Sequence, residues 1–391
     1  MTTVPVELPD DQIVSSGYGF IFQYDNEVLT IDADIIVGST ADTGVYDGVM
    51  KNSSVFNYGT VFGQGGAGDG IQLAKGNSTV TNEIGAFVRG AAGVRLAGNG
   101  DDTVVNAGGI TGTDTAVAFQ GNAVKSIALT NSGQIYGSTG VLIAVDSVAS
   151  STIENSGTIA ASNGDGIVLQ QGATSTTTIV NQAGGLIQGG DVAIYNQTGT
   201  VVLTNNGKLV GGFLDQNGTK DVITNNGSIT GSIGLSTHAD TFKGQGSRSA
   251  VSVYGNGGKD RLIGGAHADT LDGGLGDDTL TGGGGKDHFL FANALSTNNV
   301  DSITDFKPGT DIIELTAAIF GGIGSSQGSL DAAKFSGNGT ETSTTRIVYD
   351  PATGSLSYDS NGSKTGHLVQ FATLAEHPSL HNTDVTVMFF D

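Results

Sequence analysis

A short phrase built on asparagine returns at nearly constant intervals between Asn57 and Asn225, and that regularity restricts the fold more than any other feature. It reads Asn57-Tyr58-Gly59, Asn82, Asn106-Ala107-Gly108, Asn131-Ser132-Gly133, Asn155-Ser156-Gly157, Asn181, Asn205-Asn206-Gly207 and Asn225-Asn226-Gly227. The steps between successive Asn are 25, 24, 25, 24, 26, 24 and 20. Each phrase opens on a β-rich tract such as Gln134-Ile135-Tyr136-Gly137 or Ser228-Ile229-Thr230-Gly231. A second tract follows (Val141-Leu142-Ile143), and a third leads back to Asn (Thr152-Ile153-Glu154, Val201-Val202-Leu203-Thr204). Apolar residues alternate with small polar ones inside these tracts, the period of a half-buried strand. Three short strands in about 24 residues predict a parallel β-helix, its coils stacked ~4.8 Å apart, so that seven steps span roughly 34 Å. The Asn then falls at one corner of every coil, where its amide bonds to the next Asn in a ladder. Turn and ladder chemistry accounts for this column without a substrate.

A second period begins after residues 232–254. Four nine-residue blocks run head to tail, starting at Gly255, Gly264, Gly273 and Gly282, with Asp260, Asp269, Asp278 and Asp287 at position six. Glycine tolerates positive φ, so the hexapeptide bends with its carbonyls turned into the loop. Position six adds a carboxylate, and position eight sends an apolar side chain (Leu262, Leu271, Leu280, Phe289) inward. Carbonyls with carboxylates suit a hard cation that takes six to eight oxygens. The candidate metal residues are Gly255, Gly257, Gly258, Asp260, Gly264, Ala266, Asp269, Gly273, Leu275, Gly276, Asp278, Gly282, Gly284 and Asp287. Each block is half a coil, so Asp260 with Asp278 should frame one ion and Asp269 with Asp287 another. The blocks resemble the G-G-x-G-x-D-x-U-x calcium repeat of RTX proteins, which folds as a β-roll and binds Ca2+.

Coil length shrinks from about 24 to 20 at Asn205→Asn225, and a pair of nonapeptides makes 18. The chain is therefore expected to be all-β, a parallel β-helix tapering without a flexible linker into the roll. Expected boundaries are an N-terminal cap (1–50), the β-helix (51–231), the roll (232–291) and a β-rich C-terminal cap with a secretion signal (292–391). Ile31, Ile35, Ile36 and Val37 mark the first segment as a cap or a self-assembly element, because an uncapped end is an open sheet edge. Two turns outside the four blocks carry secondary metal candidates. Gly98-Asn99-Gly100-Asp101-Asp102-Thr103-Val104 matches six positions of the repeat, with Asp102 in the carboxylate place. His238-Ala239-Asp240-Thr241-Phe242 echoes His267-Ala268-Asp269-Thr270-Leu271, which makes Asp240 part of a degenerate first repeat.

Past the roll, Val300-Asp301-Ser302-Ile303-Thr304-Asp305-Phe306-Lys307-Pro308-Gly309-Thr310-Asp311-Ile312-Ile313-Glu314-Leu315 resembles the D-x-I-x-D-F-x-x-G-x-D-x-I-x-L phrase of serralysin-type RTX exoproteins. Ser355–Gly362 and Val369–Leu374 look like the same family's C-terminal cap, and the likeness spans about residues 240–391. It implies calcium-dependent folding outside the cell and export by a type I secretion system that reads an uncleaved C-terminal signal. Asp384-Val385-Thr386-Val387-Met388-Phe389-Phe390-Asp391 fits such a signal. The resemblance also implies that Asp301 or Asp305 completes the last calcium site. The serralysin protease motif H-E-x-x-H does not occur. His267 and His288 lie inside the roll and read as repeat drift, not as zinc ligands.

Composition narrows the partners. Lys and Arg number 16 against 38 Asp and Glu, a net charge of −22, and 64 of 391 residues are Gly. With no basic cluster, nucleic acid is excluded as a partner. Without Pro at every third position, collagen is excluded too. No window is long and apolar enough for a transmembrane helix, the N-terminus lacks the basic and apolar regions of a signal peptide, and Cys is absent. Taken alone these facts suit a cytosolic protein equally well; the resemblance to RTX exoproteins is what implies an extracellular or cell-surface location reached without an N-terminal signal.

The reading is a secreted calcium-binding structural or surface-associated protein, of self-assembling matrix, surface-layer or adhesin type, that meets itself or a cell-surface polysaccharide. The rival is a β-helix polysaccharide lyase or epimerase with an RTX roll. Such chemistry needs a base and a cation clustered on one face. Lys75, Arg89, Arg95, Lys125, Lys208 and Lys220 fall on different coils, whereas Asp69, Asp114, Asp165 and Asp191 are expected near one corner of successive coils. Tyr18-Gly19-Phe20-Ile21-Phe22 begins like the epimerase phrase Y-G-F-D-P-H but lacks its Asp and His. No catalytic residue is assigned.

Overall fold

The computed structural model describes residues 3–362 and 367–389. The fold is all-β, and two single-turn 3-10 helices, Ala332–Lys334 and Asn382–Asp384, are the helical elements among the described residues. No helix there is long and apolar enough to cross a membrane. The chain divides into two compact units, Met1–Gly218 with Ser228–Gly231, and Thr219–Gly227 with Ser232–Asp391.

The first unit is a parallel β-solenoid of three-strand coils. The alternation in sequence becomes an alternation in burial, since Thr79–Asn82 and Thr200–Asn205 each set every second side chain inward. Because stacking is in register, the inward residues form continuous columns. One runs Val55, Val80, Val104, Leu129, Ile153, Ile179, Leu203. A second runs Val61, Val88, Ile110, Ile135, Ile159, Ile187, Leu209. A third runs Ile71, Val94, Val117, Val141, Ile167, Ile194, Phe213. All of these are at most 1% exposed. Each buried aliphatic contributes about 1.5–3 kcal/mol, and truncating one Ile to Ala costs about 2–5 kcal/mol. β-branched side chains dominate because they pack on a pleated surface with little further loss of rotamer freedom.

Residues before Asn57 are built to the same plan. Val4–Glu7, Gln12–Val14 and Phe20–Ile21 pair in parallel with Glu27–Ile31, Ile36–Ser39 and Val45–Asp47. Those strands in turn pair with the next coil. Ile31 and Val37 accordingly lie in the core, while Ile36 is half-buried.

The expected Asn ladder is present. Each amide Nδ2 donates to the Oδ1 of the next Asn: Asn57 to Asn82 (2.8 Å), Asn82 to Asn106 (2.8 Å), Asn106 to Asn131 (2.8 Å), Asn131 to Asn155 (2.7 Å), Asn155 to Asn181 (2.9 Å) and Asn181 to Asn205 (2.8 Å). The second amide hydrogen serves a backbone carbonyl, as from Asn131 to Thr158 O at 3.0 Å. Since an amide both donates and accepts, the buried column satisfies itself.

In the second unit the step between coils falls to 18, with Arg261 opposite Thr279 and Thr270 opposite His288. Two inward columns result, Phe242, Leu262, Leu280, Ile303, Leu374 and Val253, Leu271, Phe289, Ile313, Val385. Position eight of every nonapeptide lies in them, as its apolar character requires. The unit ends in antiparallel pairings of Ile347–Asp350, Ser355–Asp359 and Leu368–Leu374. Phe291, Phe320, Tyr358 and Phe371 meet edge to face there, with ring centroids 4.9–5.4 Å apart. Such pairs add about 0.5–1.5 kcal/mol beyond the area they bury.

Candidate calcium-binding turns

Strand pairing at a step of eighteen stacks the first Gly-rich turn on the third and the second on the fourth. Asp260, Asp269, Asp278 and Asp287 are 0–2% exposed. The Asp260 amide donates to Asp278 Oδ1 (2.7 Å), and the Asp269 amide to Asp287 Oδ1 (3.0 Å). These are the pairs that two nine-residue steps bring together.

The ladders also continue past the repeats. On one side the Asp240 amide donates to Asp260 Oδ1 (2.7 Å) and the Asp278 amide to Asp301 Oδ1 (3.1 Å). On the other, the Val251 amide donates to Asp269 Oδ1 (2.8 Å) and the Asp287 amide to Asp311 Oδ1 (3.1 Å). Asp311 is the ladder member that the sequence reading missed, although it stands in the G-x-D step of the phrase after the roll. Asp305 instead receives the Gly282 and Gly283 amides, at 2.9 and 2.8 Å.

One oxygen of each repeat carboxylate is thereby used, and the other is not. Oδ2 of Asp260, Asp269, Asp278 and Asp287 is buried with no hydrogen-bond partner. An isolated buried carboxylate oxygen is costly unless a cation or donor meets it. Asp240 shows the alternative, because its Oδ2 takes the Ser236 amide (2.9 Å) and hydroxyl (2.8 Å).

Main-chain oxygens approach the same spaces. A Cβ placed on Gly264 would stand 2.5 Å from Asp269 Oδ2 and 2.6 Å from the Gly282 carbonyl oxygen. One placed on Gly255 would strike Asp260 Oδ2 and the Gly273 carbonyl. Position one must therefore be Gly, and the cradle that it leaves is bounded by oxygen. Burial, with the Asp278 and Asp240 charges adding to it, pushes the Asp260 carboxyl up to about 8. Burial and then the Asp278 charge lift Asp301 to about 8, and burial lifts Asp269 to about 6. Among the described residues no three Asp, Glu, His or Cys side chains are grouped to hold a metal, so the donor set of a turn rests on carboxylates with main-chain carbonyls.

The four turns are not alike. Positions two and four are left-handed in the first turn (Asn256 φ 67°, Gly258 φ 124°), the third (Gly274 95°, Gly276 131°) and the fourth (Gly283 99°, Gly285 117°). In the second, Gly265 and His267 are not, in keeping with an L-residue at position four. Turns one and three are further joined by Gly258 N to Leu275 O (2.8 Å), Leu275 N to Asn256 O (3.0 Å), and an exposed Lys259–Asp277 ion pair. His288 faces outward from its strand and pairs with Glu314 at 2.7 Å.

The family comparison agrees with this geometry. Residues 254–289 match the family model of the RTX calcium-binding nonapeptide repeat, in four copies. These are RTX repeats. They form a β-roll and bind Ca2+, and RTX repeat proteins are typically secreted. No curated protein matches the chain.

Two expectations outside the RTX turns fare differently. Asp102 is 1% exposed, its Oδ1 accepts the Ser78 amide (3.1 Å), its Oδ2 is buried without a partner, and burial raises its pKa to about 6. It thus repeats the bond of a roll carboxylate, but Ser78 and Ile127 flank it in register where the roll has Asp. The expected column of Asp69, Asp114, Asp165 and Asp191 does not form. Asp69 and Asp165 hold equivalent places, each accepting an amide from the next coil (Ala92, 2.8 Å; Val192, 3.0 Å). Thr115 and Val192 occupy that place in their own coils, which leaves Asp114 and Asp191 one residue out of register. Asp69 is bound to Arg95 at 2.6 Å.

Proposed function

We propose that this is a secreted structural or surface-associated protein whose roll folds when it meets extracellular calcium. The observation that carries the reading is the pair of Asp ladders, in which every repeat carboxylate keeps one buried oxygen with no protein partner. Calcium would be held by Asp260 with Asp278, by Asp278 with Asp301, and by Asp269 with Asp287, together with carbonyls of positions one and three (Gly255, Gly257, Gly264, Ala266, Gly273, Leu275, Gly282, Gly284). When bound, the ion supplies the positive charge that offsets the stacked carboxylates. Asp240 serves as a terminal rung closed by Ser236, and Asp305 anchors the start of the fourth turn.

Export through a type I system fits the C-terminal strand. Val385–Met388 is paired along Ile312–Thr316, and Asp384 is buried and accepts the Gly309 amide at 2.7 Å. A signal built into a sheet is accessible only before folding, which calcium outside the cell then completes. Phe390 and Asp391 lie outside the described residues.

Surface association draws on a groove of about 710 Å³ in the first unit, lined by Arg89, Thr111 and Tyr136 in register on successive coils, with Phe62 beside Arg89 in the same row. Arg89 lies 5.3 Å from the Phe62 ring centre and Tyr136 is exposed, a combination suited to an anionic glycan.

A calcium titration followed by circular dichroism and light scattering tests the reading. β-Structure should rise with half-saturation at about 10⁻⁴–10⁻³ M, the range of extracellular calcium modules. An unchanged spectrum would refute it.

A further inference from the structure

A small cavity lies against the third turn, at Gly274, where the roll meets the segment that follows it. Its volume is about 10 Å³, the space of a single water-sized sphere. Two carboxylates line it, Asp272 at the end of the strand Thr270–Asp272 and Asp301 at the start of Asp301–Ile303. They are 8% and 4% exposed.

Asp272 Oδ1 accepts the Gly274 amide at 3.0 Å and the Asn293 amide at 3.5 Å. Asp301 Oδ1 accepts the Asp278 amide at 3.1 Å. Asp272 Oδ2 takes no N–H or hydroxyl among the described residues, and the Asp301 carboxyl otherwise meets only the carboxyl of Asp278. The charges acting on Asp301 are those of Asp278 and Asp272, both negative, and no Lys, Arg or His lines the cavity. Asn293 and Asn299 bring side-chain amides to it, Asn299 being fixed by the Gly276 amide at 2.7 Å. Phe291 and Phe371 form the apolar wall.

Two buried carboxylates facing one cavity, neutral amide oxygens and room for one sphere make a hard-cation site, not a water site. A divalent ion holds both carboxylates in their charged form, which a water cannot do. We propose that this cavity is a further calcium site, outside the Gly-rich turns, in which Asp272, Asn293 and Asn299 hold one ion and share Asp301 with the Asp278 turn site. Asp272 is at position nine of its nonapeptide, outside the glycine-rich turn, and so adds a ligand that the turns do not use. Because Phe371 belongs to the cap strand Leu368–Leu374, occupancy of this site would couple calcium to the seating of the C-terminal cap on the roll.

Native mass spectrometry of the full chain in saturating calcium chloride tests the proposal. Asp272→Asn should carry one ion fewer than wild type while keeping its calcium-induced β-structure. An equal ion count in Asp272→Asn would overturn the proposal without touching the turn sites, and a wild type that binds no calcium would overturn both. Asn293→Asp decides the matter if Asp272→Asn does not fold. A third carboxylate at a cation site should tighten one ion by tenfold or more and raise the melting temperature in calcium. At a cavity that holds only water it would lower the melting temperature, and that result contradicts the proposal.

Discussion

The Asn column of the first unit and the Asp ladders of the second solve one geometric problem with different atoms. Both place a short side chain at the corner of every coil, buried and in register with its equivalents. An amide carries a donor and an acceptor, so Asn57 to Asn205 close on one another and need nothing from solvent. A carboxylate only accepts. Asp260, Asp269, Asp278 and Asp287 therefore borrow a backbone amide for one oxygen and leave the other for an ion. Replacing NH2 with O at the corner turns a column that satisfies itself into one with an oxygen to offer a cation.

Exchanging the two chemistries should break the comparison most severely. Asn131→Asp buries a charge and removes the donor from Asn155 Oδ1 and Thr158 O. A loss of about 3 kcal/mol or more is expected in urea unfolding, and calcium should not restore it. The reverse exchange, Asp278→Asn, should stabilise the calcium-free roll by about 1–3 kcal/mol while reducing the number of ions bound. Melts in chelator and equilibrium dialysis would measure the two effects.

A pH series sharpens the contrast further. Asp260 and Asp301 titrate near 8 and Asp269 near 6 in the folded calcium-free roll, above the ordinary value of 3.8. Folding thus favours their protonated forms. Their stabilising contribution is complete below the unfolded pKa and is lost as pH rises through about 6 and then about 8. Calcium requires the same protons to leave, so its affinity should rise across that window. Chelated melts and calcium titrations at successive pH values should move in opposite directions.

Within the roll, His267→Gly should give the second turn the left-handed position that the other three have. A several-fold tighter ion on the Asp269–Asp287 side is expected by calorimetry. The smallest effect belongs to Lys259→Ala. Its ion pair with Asp277 is exposed, and the melting temperature should not change measurably.

Both ladders are legible in the repeats themselves, since a step of 24 fixes a three-strand coil and a step of nine fixes half of a shorter one. What stays hidden depends on irregular steps. Asp311 follows Asp287 at a step of 24, and Asp301 follows Asp278 at a step of 23, because the segment beyond the roll lengthens the coil. Spacing of nine therefore stops pointing to either. Asp114 and Asp191 mislead for the related reason that one residue of slip moves a side chain off its column. The cavity at Asp272 is out of reach of sequence, since position nine carries no ligand in the motif and Asn293 and Asn299 come from a loop with no repeat.

Hydrogen exchange on the full chain, with calcium and with chelator, tests the central claim most directly. The amides of 79–82, 103–106 and 152–155 beside the Asn ladder should keep the same protection in both conditions. The amides of Asp260, Asp269 and Asp278, which donate to the next carboxylate, should be protected in calcium and exchange freely in chelator. Equal protection of these three with and without calcium would contradict the account.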